Sequence, residues 1–228
     1  MTESQPSALR IAIVGAESTG KTALAQALAA RIETLTGLRT RCVGEYLRDW
    51  CREAGRTPRA DEQMGIARLQ HARIDAMAAQ CDVVVCDTTA VMTAVYSAML
   101  FGDASLEAFA VEQQRRCQIT LLTALDLPWV ADGIQRDGPH VREPVDNRVR
   151  ALLASHALPW SLVTGEGERR VESALDALAP LLAARAAPTS GLFSRLAERE
   201  ARQAEWRWVC TDCDVPDCEH ASLQQMRR

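Results

Sequence analysis

Short apolar runs alternate along the chain with longer segments in which apolar residues recur every three or four positions. The first run covers residues 10–14 and ends at Gly15. After it, Leu24, Leu28 and Ile32 lie at helical spacing. Continuous apolar runs are typical of buried strands, and a period near 3.6 is typical of helices. The pattern therefore predicts a strand, a glycine-bounded loop and a helix, in that order.

The same alternation continues to about residue 185. Strands are predicted at residues 40–45, 82–87, 118–124 and 160–164, and further helices at 59–80 and from 167 to about 185. The run at 82–87 is continuously apolar, as in parallel strands that are buried on both faces. Strands that alternate with helices predict an α/β domain with a five-stranded parallel sheet, helices on both faces and ligands at the carboxyl ends of the strands.

A change in composition near residue 186 predicts a domain boundary. Residues 186–191 read Ala-Ala-Pro-Thr-Ser-Gly, and a charged segment and a cysteine cluster follow. We therefore expect a disordered N-terminus at 1–9, an α/β domain at 10–185 and an extension at 186–228. The extension would consist of a linker, a short helix and a Cys/His cluster.

Composition narrows the classes of partner and location. The 228 residues carry a formal charge of −4 with a pI near 5.6, which gives no electrostatic reason to expect nucleic acid or an anionic membrane as partner. No signal peptide is recognisable, and no apolar stretch approaches the roughly 20 residues of a membrane helix. We expect a cytoplasmic protein whose cysteines are thiols or metal ligands.

The glycine-bounded loop has the composition of a phosphate-binding loop, or P-loop. Its backbone N–H groups and the helix that follows would hold nucleotide phosphates. Lys21, the only lysine of the chain, would reach the β and γ phosphates, and the hydroxyl of Thr22 would be a ligand of Mg²⁺. The fold class is therefore that of P-loop NTPases, and the candidate nucleotide-binding residues are Gly15, Glu17, Ser18, Thr19, Gly20, Lys21 and Thr22.

Two carboxylates close predicted strands beside this loop. Asp87 ends the third strand, where it would hold Mg²⁺ or touch substrate hydroxyl groups; a helix-capping aspartate is the alternative. Glu45 ends the second strand, where it would face the γ phosphate as a general base; a local ion pair with Arg48 is the alternative. Lys21, Glu45 and Asp87 are thus the first candidates for catalysis.

A further catalytic group is expected in residues 126–150, which are rich in proline, glycine and charge. A phosphotransferase must exclude water from the transferred group, and closing segments often carry arginines. The segment offers Arg136, Arg142, Arg148 and Arg150, of which Arg136 is the leading catalytic cation. An ordinary solvated loop is the alternative.

Four elements in this order resemble the ribosylnicotinamide kinase domain of NadR-type proteins. They are the P-loop, residues 45–48 (Glu-Tyr-Leu-Arg), the third-strand element around Asp87 and Tyr96, and Pro-Trp-Val-Ala-Asp-Gly-Ile-Gln-Arg at 128–136. The resemblance covers most of residues 10–185. It implies transfer of the γ phosphate of ATP to the 5′ hydroxyl of nicotinamide riboside, in NAD salvage.

The chain has few aromatic residues, and several lie near the predicted strand ends. Aromatic faces can receive a cationic nicotinamide ring, although core packing is the alternative. Together with the resemblance, this makes Tyr46, Arg48, Tyr96 and Trp129 the candidate substrate-binding residues. Only about ten residues precede the first strand, without the adenylyltransferase domain of NadR-type proteins, so the kinase step alone is expected.

The extension ends in a cluster of soft ligands that has no counterpart in that family. Three thiols and an imidazole suit tetrahedral zinc, although free thiols in a disordered tail are the alternative. The residues are Cys210, Cys213, Cys218 and His220. We hypothesise a module that docks a protein partner.

Three functions are compatible with these patterns. The first is an ATP- and Mg²⁺-dependent kinase for nicotinamide riboside, and the second is a kinase of the same fold with another nucleoside acceptor. The third is a nucleotide-dependent switch or regulatory ATPase with the extension as its docking module. The chain lacks an Asn/Thr-Lys-x-Asp guanine motif, which favours ATP over GTP.

Overall fold

The computed structural model describes residues 7–130 and 138–185. Its strands are β1 (Leu9–Val14), β2 (Thr40–Val43), β3 (Val83–Asp87), β4 (Ile119–Thr123) and β5 (Trp160–Val163). Its helices are α1 (Lys21–Thr36), α2 (Tyr46–Ala54), α3 (Gln63–Ala78), α4 (Ala90–Phe101), α5 (Glu107–Gln114), α6 (Arg142–Ser155) and α7 (Glu168–Ala183). Single 3₁₀ turns occur at Ala60–Glu62 and Pro139–Val141.

The five strands form one parallel sheet in the order β2-β3-β1-β4-β5. Helix α1 packs with α7, whereas α3, α4 and α6 pack side by side. This confirms the predicted fold class, with helices on both faces of a parallel sheet. Strand β3, which lies between β2 and β1, is buried along its whole length, as its continuous apolar run predicts.

The strand ends differ slightly from the predicted ones. Strand β1 begins at Leu9 instead of residue 10, because Leu9 pairs with Val83 and its N–H donates to the Asp82 carbonyl at 2.9 Å. Helix α1 stops before Gly37, as predicted. Gly37 adopts φ +71, and its N–H donates to the Glu33 carbonyl at 2.9 Å, which closes the last turn.

Part of the predicted closing segment at 126–150 is helix. Helix α6 begins at Arg142, and Val145 and Val149 are buried in the core. The sequence analysis assigned no helix to this segment, although Val145, Val149 and Leu152 have helical spacing. The segment outside regular helix therefore ends near residue 141.

The extension lies outside the described residues, so the boundary at residue 186 and its short helix stay predictions. The disordered N-terminus at 1–9 is likewise untested over residues 1–6. Within residues 7–130 and 138–185, no helix is long and apolar enough to cross a membrane.

Candidate active site

The loop between β1 and α1 packs so closely on the end of β4 that Gly15 has no room for a side chain. Gly15 has φ +148, and a Cβ atom built on it would lie 2.2 Å from Thr123 Oγ1. The Thr19 hydroxyl lies 2.7 Å from the same oxygen and donates to the Ala16 carbonyl at 2.8 Å. These contacts fix the loop before α1 begins at Lys21, so its N–H groups continue into the positive end of a helix.

Lys21 lies against this loop among carboxylates. Its ammonium donates to the Ala16 carbonyl at 2.7 Å. Burial lowers the pKa of Lys21, while the negative charges of Glu45, Asp87 and Glu17 oppose this shift. The structure therefore brings the predicted lysine and both predicted strand-end carboxylates into one electrostatic cluster.

Asp87 is buried at the end of β3 and has a carboxylate oxygen to spare. Only 2% of the residue is exposed, and Oδ1 has no hydrogen-bond partner among the described residues. Burial raises the pKa of Asp87, whereas a hydrogen bond with the Thr22 hydroxyl and the charges of Lys21 and Arg48 lower it. An orphaned carboxylate oxygen beside a threonine hydroxyl fits the small oxygen-ligand set of Mg²⁺.

Glu45 lies between β2 and α2. Its surroundings are compatible both with a local ion pair and with a general base. Arg48 contacts Glu45 Oε2 at 3.4 Å through Nε and Nη2, so the local ion pair exists. The carboxylate nevertheless remains close enough to influence Lys21, and burial raises the pKa of Glu45 above its usual range. A raised pKa makes an ionised carboxylate a stronger proton acceptor.

The backbone on both sides of Glu45 is held by Gln70 of α3, which sequence reasoning missed. Gln70 Nε2 donates to the Gly44 carbonyl at 3.2 Å, and Gln70 Oε1 accepts the Tyr46 N–H at 2.6 Å. Gln70 is only 3% exposed. A polar residue on the buried face of a predicted helix was the available indication, because buried amides are normally hydrogen-bonded.

His71 of α3 also supports the site. Its Nε2 accepts the N–H of Ala90, the first residue of α4. Burial lowers the pKa of His71 to about 4, so the ring is neutral near pH 7. It thereby fixes the start of α4, three residues after Asp87.

The aromatic candidates differ in their surroundings. The guanidinium of Arg73 lies 4.3 Å from the centre of the Tyr46 ring, so an arginine already stacks on that residue. Tyr96 packs against the core cluster that contains Ala16 of the P-loop. The buried Nε1 of Trp129 has no hydrogen-bond partner in the described part of the chain. Trp129 thus remains better placed than Tyr46 to meet a ligand.

Residues after β4 are tied directly to the P-loop. The N–H of Val130 donates to Ser18 Oγ at 2.7 Å. Arg170 of α7, only 4% exposed, donates to the carbonyls of Thr19 (3.0 Å) and Ala124 (3.1 Å) and to Asp126 Oδ1 at 2.8 Å. Arg170 is a positioning residue for the P-loop that sequence reasoning missed; its buried place on the apolar face of α7 was the available indication.

Replacing Arg170 with glutamine should raise the KM for ATP about tenfold, because the loss of roughly 1.4 kcal/mol of loop positioning corresponds to a factor of ten. Thermal unfolding should also occur at a lower temperature, since the buried network loses its donor. Steady-state kinetics and calorimetry would measure both. Arg169→Gln, which changes the exposed arginine next to it on α7, is the matched control. A wild-type KM in Arg170→Gln would rule out the positioning role.

Some predicted site residues lie outside the described residues. These are Arg136 and the cysteine cluster of Cys210, Cys213, Cys218 and His220. Within the described ranges, no group of three or more His, Cys, Asp or Glu residues is arranged to hold a metal ion. The zinc prediction is thus untested.

Comparison with models of protein families assigns the described domain to a family. The family model for an AAA domain matches residues 10–170. The chain belongs to the AAA domain family. No curated protein matches it by sequence. The matched region of this AAA domain contains the P-loop, Glu45 and Asp87.

Solved structures share the fold of this AAA domain. A NadR protein in complex with NR superimposes with a TM-score of 0.63 at 19% identity, covering 80% of this chain and 53% of that chain. A NadR protein with NAD and AMP-PNP gives 0.60 at 19% identity, covering 76% and 49%. A thymidylate kinase from Ehrlichia chaffeensis gives 0.52 at 16% identity, covering 77% and 100%.

These structures confirm the NadR-type resemblance at the level of the fold, which is a P-loop kinase fold. The chain spans about half the length of the NadR structures it matches.

Proposed function

We propose that the chain is an ATP-dependent kinase that transfers the γ phosphoryl group to the 5′ hydroxyl of nicotinamide riboside. The observation that carries this proposal is the cluster of Lys21, Glu45 and Asp87. It joins a phosphate-binding lysine to two carboxylates with raised pKa at the carboxyl edge of the sheet. A nucleotide switch needs the lysine and a metal-binding carboxylate; a second buried carboxylate suits proton removal from an acceptor.

The donor half of the site follows from the loop. The backbone N–H groups of residues 15–22 would hold the phosphates, and the Lys21 ammonium would neutralise charge on the β and γ phosphates. Thr22 and Asp87 would hold Mg²⁺. When bound, that ion would neutralise negative charge on the phosphate oxygens and so reduce their repulsion of the incoming hydroxyl oxygen.

The acceptor half needs a group that removes a proton. The hydroxyl oxygen of the acceptor attacks the γ phosphorus, the bond from that phosphorus to the β–γ bridging oxygen breaks, and ADP leaves. The hydroxyl proton passes to the Glu45 carboxylate. Asp87 is the less suitable base because its carboxylate would be a ligand of Mg²⁺. Gln70 keeps Glu45 in place through Gly44 and Tyr46.

The choice of nicotinamide riboside rests on the NadR-type resemblance and on the fold neighbours. One such neighbour is a NadR protein in complex with NR. Tyr96 and Trp129 would provide aromatic faces for a cationic ring, and Arg48 would orient the ribose side of the pocket.

A phosphotransfer screen tests the proposal. Purified protein with ATP and Mg²⁺ would be offered nicotinamide riboside, the common nucleosides and thymidine monophosphate, with products read by mass spectrometry. We expect one phosphorylated product, nicotinamide mononucleotide. Transfer to a different acceptor would support kinase activity but refute nicotinamide riboside as the acceptor. Slow ATP hydrolysis that no acceptor accelerates would favour the regulatory ATPase instead.

Glu45→Gln should lower kcat roughly 100-fold, since a positioned general base contributes about 10²–10⁴ in rate. In wild-type protein, kcat should fall at acid pH, because the base works only when ionised. Burial raises the Glu45 pKa, so this fall should lie above the range of an ordinary glutamate, and the variant should lack it. A pH–rate profile measures both. Glu53→Gln on the exposed side of α2 is the control; an unchanged profile in Glu45→Gln would exclude the role as base.

A further inference from the structure

The arginines after β4 are not equivalent in the structure. Arg150 Nε donates to Asp146 Oδ2 at 2.6 Å, and its guanidinium lies 5.4 Å from the centre of the Trp160 ring. Arg148 Nη2 lies 3.7 Å from Glu107 Oε2, and 46% of the Arg148 side chain is exposed. Both arginines are therefore already engaged in ion pairs.

Arg142 is buried, and no ion pair joins it to another residue in the described part of the chain. The residue is 9% exposed, and its Nε and Nη2 atoms have no hydrogen-bond partner anywhere in residues 7–130 and 138–185. A guanidinium taken out of water is strongly disfavoured unless an anion or several acceptors receive its hydrogen bonds. Nε and one terminal nitrogen form the fork that matches two oxygens of a phosphoryl group. The unpartnered atoms thus point to an oxyanion as the missing partner.

The topology places Arg142 on the side of the sheet where phosphates would bind. Strands β4 and β5 are parallel, so α6 must run from the carboxyl end of β4 back to the amino end of β5. Arg142 is the first residue of α6 and therefore lies at the carboxyl edge. It shares an inward face with Val145 and Val149, which belong to the buried cluster that contains Ala16 of the P-loop.

We propose that Arg142 binds the γ phosphoryl group during its transfer and is a further catalytic residue of this site. The inference rests on the proposed function and adds a cation to it. Asp146, one helical turn further along, is 6% exposed and also has an unpartnered oxygen, Oδ1. The charge of Asp146 would partly balance that of the buried guanidinium, while Arg150 holds the other oxygen of Asp146.

Nucleotide binding tests the inference without any acceptor. The dissociation constants of AMP-PNP and ADP would be measured with Mg²⁺ for wild-type protein and Arg142→Gln. We expect AMP-PNP to bind about tenfold more weakly to the variant and ADP to bind equally well, because only AMP-PNP carries a γ group. Arg148→Gln, on the exposed side of the same helix, is the matched control and should change neither constant.

Two results would overturn the inference. If neither affinity changes, Arg142 pairs with Asp146 through water and has no ligand. If both affinities fall equally, Arg142 supports the nucleotide site only through the fold. Should Arg142→Gln fail to fold, Arg142→Met fills a similar volume without unpaired donors. The ratio of the AMP-PNP and ADP dissociation constants would then be measured for that variant. A failed acceptor screen would refute the acceptor while leaving this ratio intact, so the two failures are distinguishable.

Discussion

Lys21→Arg should lower the rate of phosphotransfer about 10³-fold, although it keeps the positive charge. The ammonium of Lys21 is compact and fits against the Ala16 carbonyl at 2.7 Å within the P-loop. A planar guanidinium is larger and cannot occupy that space without moving the loop. Removing one positioned donor from a charge-stabilising site typically lowers kcat by about 10²–10³, and a displaced loop adds to this loss. Single-turnover kinetics with saturating ATP would measure the effect.

The comparison with Lys21→Met separates charge from shape. Methionine removes the charge that stabilises the ionised forms of Glu45 and Asp87, so the pKa values of both carboxyl groups should rise further. Both variants should fold, which far-ultraviolet circular dichroism would confirm. Because arginine is otherwise the basic residue of this chain, a near-wild-type rate in Lys21→Arg would contradict the assignment of Lys21 to the phosphates.

Asp87→Asn should abolish most activity and at the same time stabilise the protein without ligands. Activity should fall by about 10²–10³, because an amide replaces the anionic oxygen that would hold Mg²⁺. Stability should rise because burial raises the Asp87 pKa above its unfolded value, so the ionised carboxylate opposes folding once the pH exceeds that unfolded value. Asparagine has no charge to bury.

Two measurements in parallel check this. Thermal unfolding at pH 7 should give a higher midpoint for Asp87→Asn than for wild type, and the difference should vanish at low pH, where the wild-type carboxyl group is protonated. Asp103→Asn, at a half-buried loop position before α5, should not reproduce the activity loss. A lower midpoint for Asp87→Asn would mean that Asp87 is structural, as a helix-capping aspartate would be.

The sheet could be predicted because parallel strands leave a strong mark on the sequence. Residues 83–87 are apolar up to Asp87 and are buried on both faces, so their run has no polar interruption. The same near-complete burial had the opposite effect on helix α4, which was missed. Residues from Ala90 to Ser97 are buried on almost every side, apart from the half-buried Tyr96, so they lack the one-sided period of a surface helix.

The site residues that could be predicted are those whose chemistry is local. Lys21 and Thr22 follow from a short loop, and Asp87 follows from the end of one strand. Gln70 and Arg170 could not be assigned in this way, because their roles depend on contacts with residues 24 to 151 positions away. Arg142 could be named only as one of four arginines, because its burial depends on the fold. Sequence spacing within a helix does not reveal which distant carbonyl its side chain reaches.

The two hydrogen bonds of Gln70 determine which segments must be transferred together if this site is built into another protein. A designer who transplanted the P-loop and residues 44–48 onto another sheet would carry the lysine and the glutamate, but not the amide that holds Gly44 and Tyr46 on either side of Glu45. The smallest portable version of the donor and base half therefore includes the middle of α3. The candidate reacting groups belong to strand ends, but the backbone around Glu45 is held by a helix.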